Sequence, residues 1–493
     1  MITFLISLAL LIADYFVYGK FAAKVVGIDP SRNTPVQTMA DGVDYVELPT
    51  WKIFLIQFLN IAGLGPIFGA IMGVMYGPAA FLWIVFGTIF AGAVHDFMSG
   101  MMSLRMGGAS LPEIVGRELG GGVKLTMRIF ALLLMILVGA VFVYNPADLL
   151  AKITPDSMTR LFWIVLIFVY YMAATLLPID KLIGKLYPVF GFALLFMAVG
   201  IMAMLFVHSD TVPELWHQFS NHKPDPEANP IFPMMFVSIA CGAISGFHAT
   251  QSPMMARCLK NEKHARPVFY GAMITEGIVA LIWAAAAVAF TGGYTQLQEA
   301  LDGGSPATLV NNLSTTWLGT FGGILAILGV VAAPITSGDT ALRSARLIAA
   351  DFSGIKQKKV ISRVLVSLPI FAVCFIIMLL PYDVLWRYFA WCNQALSVFT
   401  LWAITVWLAS RKRFYGISLV PALFMTVVTV SYILFAPEGL GLLTQALFGV
   451  GIDYWLAIGI GVAVALSFLV MFLTRKVKAE TETILDSQPS TLK

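Results

Sequence analysis

The sequence predicts an all-α polytopic membrane protein of about thirteen transmembrane helices, built on a core of two five-helix repeats of inverted topology. Three observations lead there. The 493 residues are 59% apolar and only 12% charged, against about 45–50% and about 25% in soluble chains. Lys and Arg alternate strongly between successive connections. Two apolar runs, five helices apart, are interrupted at mid-membrane by Gly and Pro.

Thirteen helices fit the apolar runs: 2–19, 52–75, 79–104, 125–146, 161–178, 186–207, 231–249, 268–291, 318–349, 363–380, 385–409, 415–436 and 453–474. At about 20 apolar residues per span they occupy roughly 260 positions. The first apolar run has no preceding Lys or Arg, contains Asp14 and Tyr15, and lacks a small-residue cleavage site, so it reads as a span and not as a leader. With thirteen spans, 27 of the 31 Lys and Arg residues fall on one face; only Lys152, Arg160, Lys223 and Arg387 fall on the other. Cationic residues collect on the cytoplasmic side, which predicts an outside N-terminus and a cytoplasmic C-terminus. The net charge of +4 therefore reports orientation, and no nucleic-acid partner is expected.

The expected organisation is a peripheral first helix and cytoplasmic loop over 1–51, a first repeat over 52–207 (helices 2–6), a second over 231–409 (helices 7–11), two peripheral helices over 415–474 and a cytoplasmic tail over 475–493. Ser110-Leu111-Pro112-Glu113 has capping-box spacing, and Gly120 to Gly122 supplies a stop, so a short helix is expected over 111–119. Cys241, Cys258, Cys374 and Cys392 form no CxxC pair and are expected reduced. Trp51, Trp317, Trp386 and Trp455 lie near span ends and read as interfacial anchors.

Backbone irregularity at membrane depth is tolerated only where it is buried in protein or lines a cavity. Helix 2 carries Asn60-Ile61-Ala62-Gly63-Leu64-Gly65-Pro66, and helix 7 carries Cys241-Gly242-Ala243-Ile244-Ser245-Gly246-Phe247-His248. Odd spacing sends these helices through the bilayer in opposite directions, as inverted repeats require. The first amides after each break carry partial positive charge and suit an anion, so Asn60, Gly63, Gly65, Pro66, Ser245, Gly246 and His248 are the expected substrate-binding residues. A third interruption is expected in helix 9, at Ala333-Pro334-Ile335-Thr336-Ser337-Gly338-Asp339-Thr340, whose hydroxyls would face the first break and could hold a hard cation.

Ionisable residues within spans are functional hypotheses by default. Glu276, Asp96, His95 and Asp339, with Thr336, Ser337 and Thr340, are the expected coupling residues; Asp14 is read as structural. No cofactor, catalytic residue or resident metal is expected. The proton is the expected coupling ion, with sodium as the alternative. A membrane-embedded metal-dependent hydrolase using His95 and Asp96 is the competing class, without an HExxH or GxSxG motif to support it. A nutrient sensor that binds without carrying is the third.

Several of these stretches also resemble the carbon starvation protein A (CstA) family: Asp41-Gly42-Val43-Asp44-Tyr45, Ala62-Gly63-Leu64-Gly65-Pro66, Ala91-Gly92-Ala93-Val94-His95-Asp96-Phe97-Met98, Gly271-Ala272-Met273-Ile274-Thr275-Glu276-Gly277 and Thr336-Ser337-Gly338-Asp339-Thr340-Ala341-Leu342-Arg343. The resemblance spans about residues 36–410. It implies a LeuT-like transporter of the amino acid/polyamine/organocation type that imports peptides or pyruvate, the latter with protons, across the lipid of a bacterial inner membrane, as a short form of the family. Longer members have a His pair where this sequence has Ile56 and Gln57, and an extended C-terminal part without a counterpart here. No oligomeric state is implied.

Overall fold

The computed structural model describes residues 1–475 except 43, 177–178, 218, 303–304, 358, 381 and 438. The predicted tail, beyond its first residue, and Val43 of the Asp41–Tyr45 stretch lie outside the described residues.

Every regular element among the described residues is helical. Helix 1 runs over Ile2–Val26, helix 3 over Ala79–Arg105, helix 4 over Gly121–Ile153, helix 5 over Arg160–Leu176, helix 6 over Ile179–Val207 and helix 8 over Glu262–Thr291. Helix 10 runs over Val360–Ile377, helix 11 over Tyr382–Ser410, helix 12 over Gly416–Phe435 and helix 13 over Tyr454–Thr474. Nine of the described helices are long and apolar enough to cross a membrane, and a bent pair, Thr50–Ala62 and Gly65–Val74, would make a tenth. The chain is an integral membrane protein. Helices 1 and 13 are mostly exposed, with 33% and 22% of their apolar windows buried, against 83% for helices 3 and 8 and 89% for helix 11. Helices 6 and 10 are as exposed as helix 1, also with 33% buried, and the most buried of these spans are helices 3, 8 and 11.

Helix 2 is the bent pair, turning by 49°. Gly63 makes the turn at φ 24 and ψ −129, in a positive-φ region that β-carbon sterics deny to other residues. Helix 7 is divided twice. Its pieces are Ile231–Met235 with Phe236–Ser238, then Ala240–Ala243, then Gly246–Ala256. Ile239 leaves helical geometry (φ −89, ψ 55), and Ile244 and Ser245 are fully extended.

Helix 9 differs from expectation. Residues 333–353 form one continuous helix, Ala333–Ser353, preceded by a π-helical turn at Leu328–Ala332. Pro334 falls in the first turn after that widening, where its missing N–H costs least, so no interruption arises at 333–340. Residues 292–317, read as a connection, also hold helix: Tyr294–Asp302 and the first part of Pro306–Ile327, which is kinked at Gly319, beside the expected start of helix 9 at 318.

The short helix Leu111–Leu119 forms as expected, but Ser110 makes no cap bond. Glu113 is drawn instead to Lys124 and Arg128, at 2.5 and 2.6 Å. Trp51 and Trp455 are exposed, as membrane-interface residues should be, whereas Trp386 is buried, its ring centroid 6.4 Å from that of Phe68. All four cysteines are free and buried.

The loops on the cation-rich face interlock. Arg105 bonds Glu262, Arg32 lies 3.6 Å from the same carboxylate, and Arg343 approaches Asp44 at 3.9 Å. Tyr45 donates to Gly107 O at 3.0 Å and is capped by the Arg257 guanidinium at 5.2 Å from its ring. The segment before helix 2 thus crosses the ends of helices 3, 7 and 9.

Candidate functional site

The two breaks face one another. A β-carbon on Gly65 would stand 2.0 Å from the Cys241 β-carbon, and one on Gly69 would stand 3.1 Å from Ser238 O. Glycine at 65 allows main chain to meet main chain at the centre of the molecule. That contact corrects one expectation: the space over Gly65 is taken by helix 7.

Unwinding frees backbone groups that the membrane interior cannot solvate. At helix 7 they are met by side chains of unbroken helices. Gln394 Nε2 donates to Ala240 O and Ile244 O, both at 3.3 Å, and Thr88 Oγ1 donates to Gly242 O at 3.1 Å. Asn393 Oδ1 accepts from both Phe247 N and Ser245 Oγ at 2.9 Å, while His248 N–H returns to Ser245 O at 3.3 Å. The anion cradle expected at Ser245–His248 is therefore present in chemistry but filled by an internal amide oxygen. Gly246 has no room for a ligand either; a β-carbon there would lie 2.5 Å from that of Leu396.

His248, three residues beyond the break, reaches the acids. Its Nδ1 lies 2.8 Å from Asp96 Oδ2, and its Nε2 lies 3.5 Å from Glu276 Oε2. Asp96 Oδ1 is 2.8 Å from His95 Nδ1. Glu276, His248, Asp96 and His95 thus form one chain across helices 8, 7 and 3, every member fully buried. Among the described residues, both Glu276 oxygens, His248 Nε2 and His95 Nε2 have no hydrogen-bond partner. A neutral imidazole donates from one nitrogen and accepts at the other. With Nδ1–H on Asp96, His248 offers Nε2 to a protonated Glu276, or as imidazolium donates to its carboxylate. A proton can move between them while the Asp96 contact persists.

The other residues expected to couple lie outside this chain. Ser337 Oγ donates to Leu59 O at 3.0 Å, and Thr340 Oγ1 to Asn60 Oδ1 at 3.4 Å, so helix 9 hydroxyls do face the first break. Thr336 does not join them; its hydroxyl bonds Ala333 O in its own helix at 2.7 Å. Asp339 turns elsewhere, accepting from the hydroxyls of Tyr187 and, at 3.0 Å, Tyr170. Asp14 accepts from Tyr270 at 2.8 Å and ties helix 1 to helix 8.

Asn393, Gln394, Thr88, Tyr170 and Tyr187 were missed in the sequence. The adjacent amides Asn393-Gln394 inside an apolar run were a usable signal, since such groups must find partners. The tyrosines gave none.

Fold and site together define a polytopic membrane protein whose broken helices meet over a buried acid–imidazole chain. The chain belongs to the CstA family: the family model described as carbon starvation protein CstA matches residues 1–164 and 149–316. An uncharacterized membrane protein of Haemophilus influenzae is 43% identical over 352 residues, 62% of this chain and 95% of the relative. The peptide transporter CstA of Campylobacter jejuni is 29% identical, covering 54% of this chain, and the pyruvate/proton symporter BtsT of Escherichia coli is 29% identical, covering 56%. The chain spans about half the length of these two curated relatives, 47% of each. Among solved structures, a mutant of the manganese transporter of Eremococcus coleocola superposes with a TM-score of 0.52 at 14% identity, over 88% of this chain and 97% of that one. That likeness is one of fold.

Proposed function

We propose that the chain is a secondary active importer that carries a small carboxylate, either pyruvate or a peptide through its C-terminal carboxylate, across the bacterial inner membrane with protons during nutrient limitation. It works by alternating access between repeats over 52–207 and 231–409, in a thirteen-span, LeuT-like arrangement with the N-terminus outside and the C-terminus cytoplasmic. The observation that carries this is the Glu276–His248–Asp96 chain, because it joins helix 8 and helix 3 through a side chain on the broken helix. A change of protonation there alters what holds the second half of helix 7. The relatives named for peptide and for pyruvate/proton transport supply the substrate classes.

The test is uptake of pyruvate and of dialanine into proteoliposomes under an imposed pH gradient, with and without sodium. Accumulation that follows the pH gradient and ignores sodium is expected. The oxygen cluster of Leu59, Asn60, Ser337 and Thr340 favours sodium as the second reading, which sodium-dependent accumulation at equal pH would establish. Indifference to both gradients would refute symport.

Asn393 leads to a further expectation. Its oxygen occupies the position at the start of Gly246–Ala256 that a substrate carboxylate would take, so exchange of one acceptor for the other would release helix 11 from helix 7. Asn393→Ala should destabilise the protein by about 1–3 kcal/mol for each buried donor left unpaired, read as a lower Tm. Saturating substrate should then raise Tm more in the variant than in the wild type; an equal rise would place the carboxylate elsewhere.

A further inference from the structure

Only four of the 31 Lys and Arg residues fall on the face assigned to the outside, and two of them, Lys223 and Arg387, line one cavity. The cavity measures about 340 Å³ and opens between the end of helix 2 (Met72, Tyr76), the start of helix 7 (Ser238) and helix 11 (Trp386). Its size lies within the range of small-molecule pockets, about 300–1,000 Å³. Ser238 lines it immediately before Ile239, where helix 7 leaves helical geometry between its first two pieces, and Gly69 of helix 2 packs on Ser238 O. The cavity therefore ends where the two broken helices meet.

Lys223 is held by soft contacts. Its Nζ lies 3.8 Å from Met75 Sδ and 5.0 Å from the centre of the Tyr76 ring, and it makes no salt bridge among the described residues. Burial pulls its ammonium below the usual lysine range; Asp302 opposes this and Arg387 adds to it. A desolvated cation near a second cation gains most from a ligand that brings negative charge.

We propose that this cavity is an outer recognition site for a free carboxylate, in which Lys223 and Arg387 collect the substrate before it reaches the junction of helices 2 and 7. A monocarboxylate and a peptide C-terminus share that chemistry. The proposal rests on the transport reading and on its orientation. Two cations above a low-dielectric funnel raise local anion concentration and on-rate by factors of about 10–1,000, an effect that salt screens.

The experiment compares wild type, Lys223→Gln, Arg387→Gln, the double variant, Lys223→Arg and Lys260→Gln in proteoliposomes. Lys260 is exposed on the opposite face, 2.9 Å from Glu47, and serves as control. Initial uptake of pyruvate, dialanine and dialanine amide is measured at low and high salt, with Tm to show that each variant folds. The double variant should raise KM for pyruvate or dialanine about tenfold with little change in maximal rate. Its salt dependence should flatten; Lys223→Arg and Lys260→Gln should behave as wild type. An unchanged KM, or an equal loss for dialanine amide, overturns the site. Binding is read separately from quenching of Trp386, with Trp386→Phe as blank. If wild type transports none of the three, the transport reading fails. Carboxylate-specific quenching abolished in the double variant would then still uphold the site, and its absence in wild type would overturn it.

Discussion

Replacing Glu276 by glutamine is expected to abolish accumulation of substrate against its gradient while leaving exchange of substrate across the membrane intact. Glutamine keeps the size and a hydrogen-bonding end but cannot accept and release a proton. Glu276 is fully buried, and among the described residues both its oxygens are without hydrogen-bond partners and a basic atom, His248 Nε2, lies 3.5 Å away. That separation exceeds a well-made hydrogen bond of about 2.7–3.2 Å, so a small displacement of Gly246–Ala256 makes or breaks the contact. One pH unit is worth about 1.4 kcal/mol, or tenfold accumulation for one proton per substrate; in the variant the inside-to-outside ratio should fall to about one. Asp96→Asn should fail differently, because Asp96 orients two imidazoles and its loss should depress exchange as well. Unchanged accumulation by Glu276→Gln would remove this acid from coupling.

The second large effect is expected at Gly65. Even Gly65→Ala places a β-carbon 2.0 Å from Cys241 Cβ and 2.4 Å from its sulfur, closer than any van der Waals contact allows. Overpacking of this kind costs about 1–3 kcal/mol, and here the strain falls where, in the proposed alternating access, the two broken helices move past each other. Uptake by Gly65→Ala and Gly65→Leu should be lost, with protein still present in the membrane. Removing the opposing side chain should help: Gly65→Ala combined with Cys241→Gly should recover a measurable part of the rate. Normal transport by Gly65→Leu would take helix 2 out of the working interface.

Much of the site was legible because membrane burial makes polar residues and chain breaks expensive. Asp96, His248 and Glu276 stood out for that reason, as did the breaks at Gly63–Pro66 and Ile244–Gly246. The hydroxyls of Ser337 and Thr340 were correctly aimed at helix 2. The failures have equally physical causes. Pro334 looked like an interruption, yet a preceding π-helical turn absorbs it. Thr336 looked like a ligand, yet a threonine on a helix can satisfy itself on its own backbone. Asp339 shares a helix with Ser337 and Thr340 but points to Tyr170 and Tyr187, a choice set by helix rotation and packing.

Hydropathy and charge along the chain determined the membrane class, the positions of most helices and the two places where they come apart, since each depends on the local cost of exposing polar atoms to lipid. Which broken end meets which, that Asn393 fills the expected anion cradle, and that Lys223 and Arg387 share a cavity were decided only in three dimensions. Those are relations between segments roughly 150 or more residues apart, and the energy of a close contact depends on distance, which the order of residues does not contain.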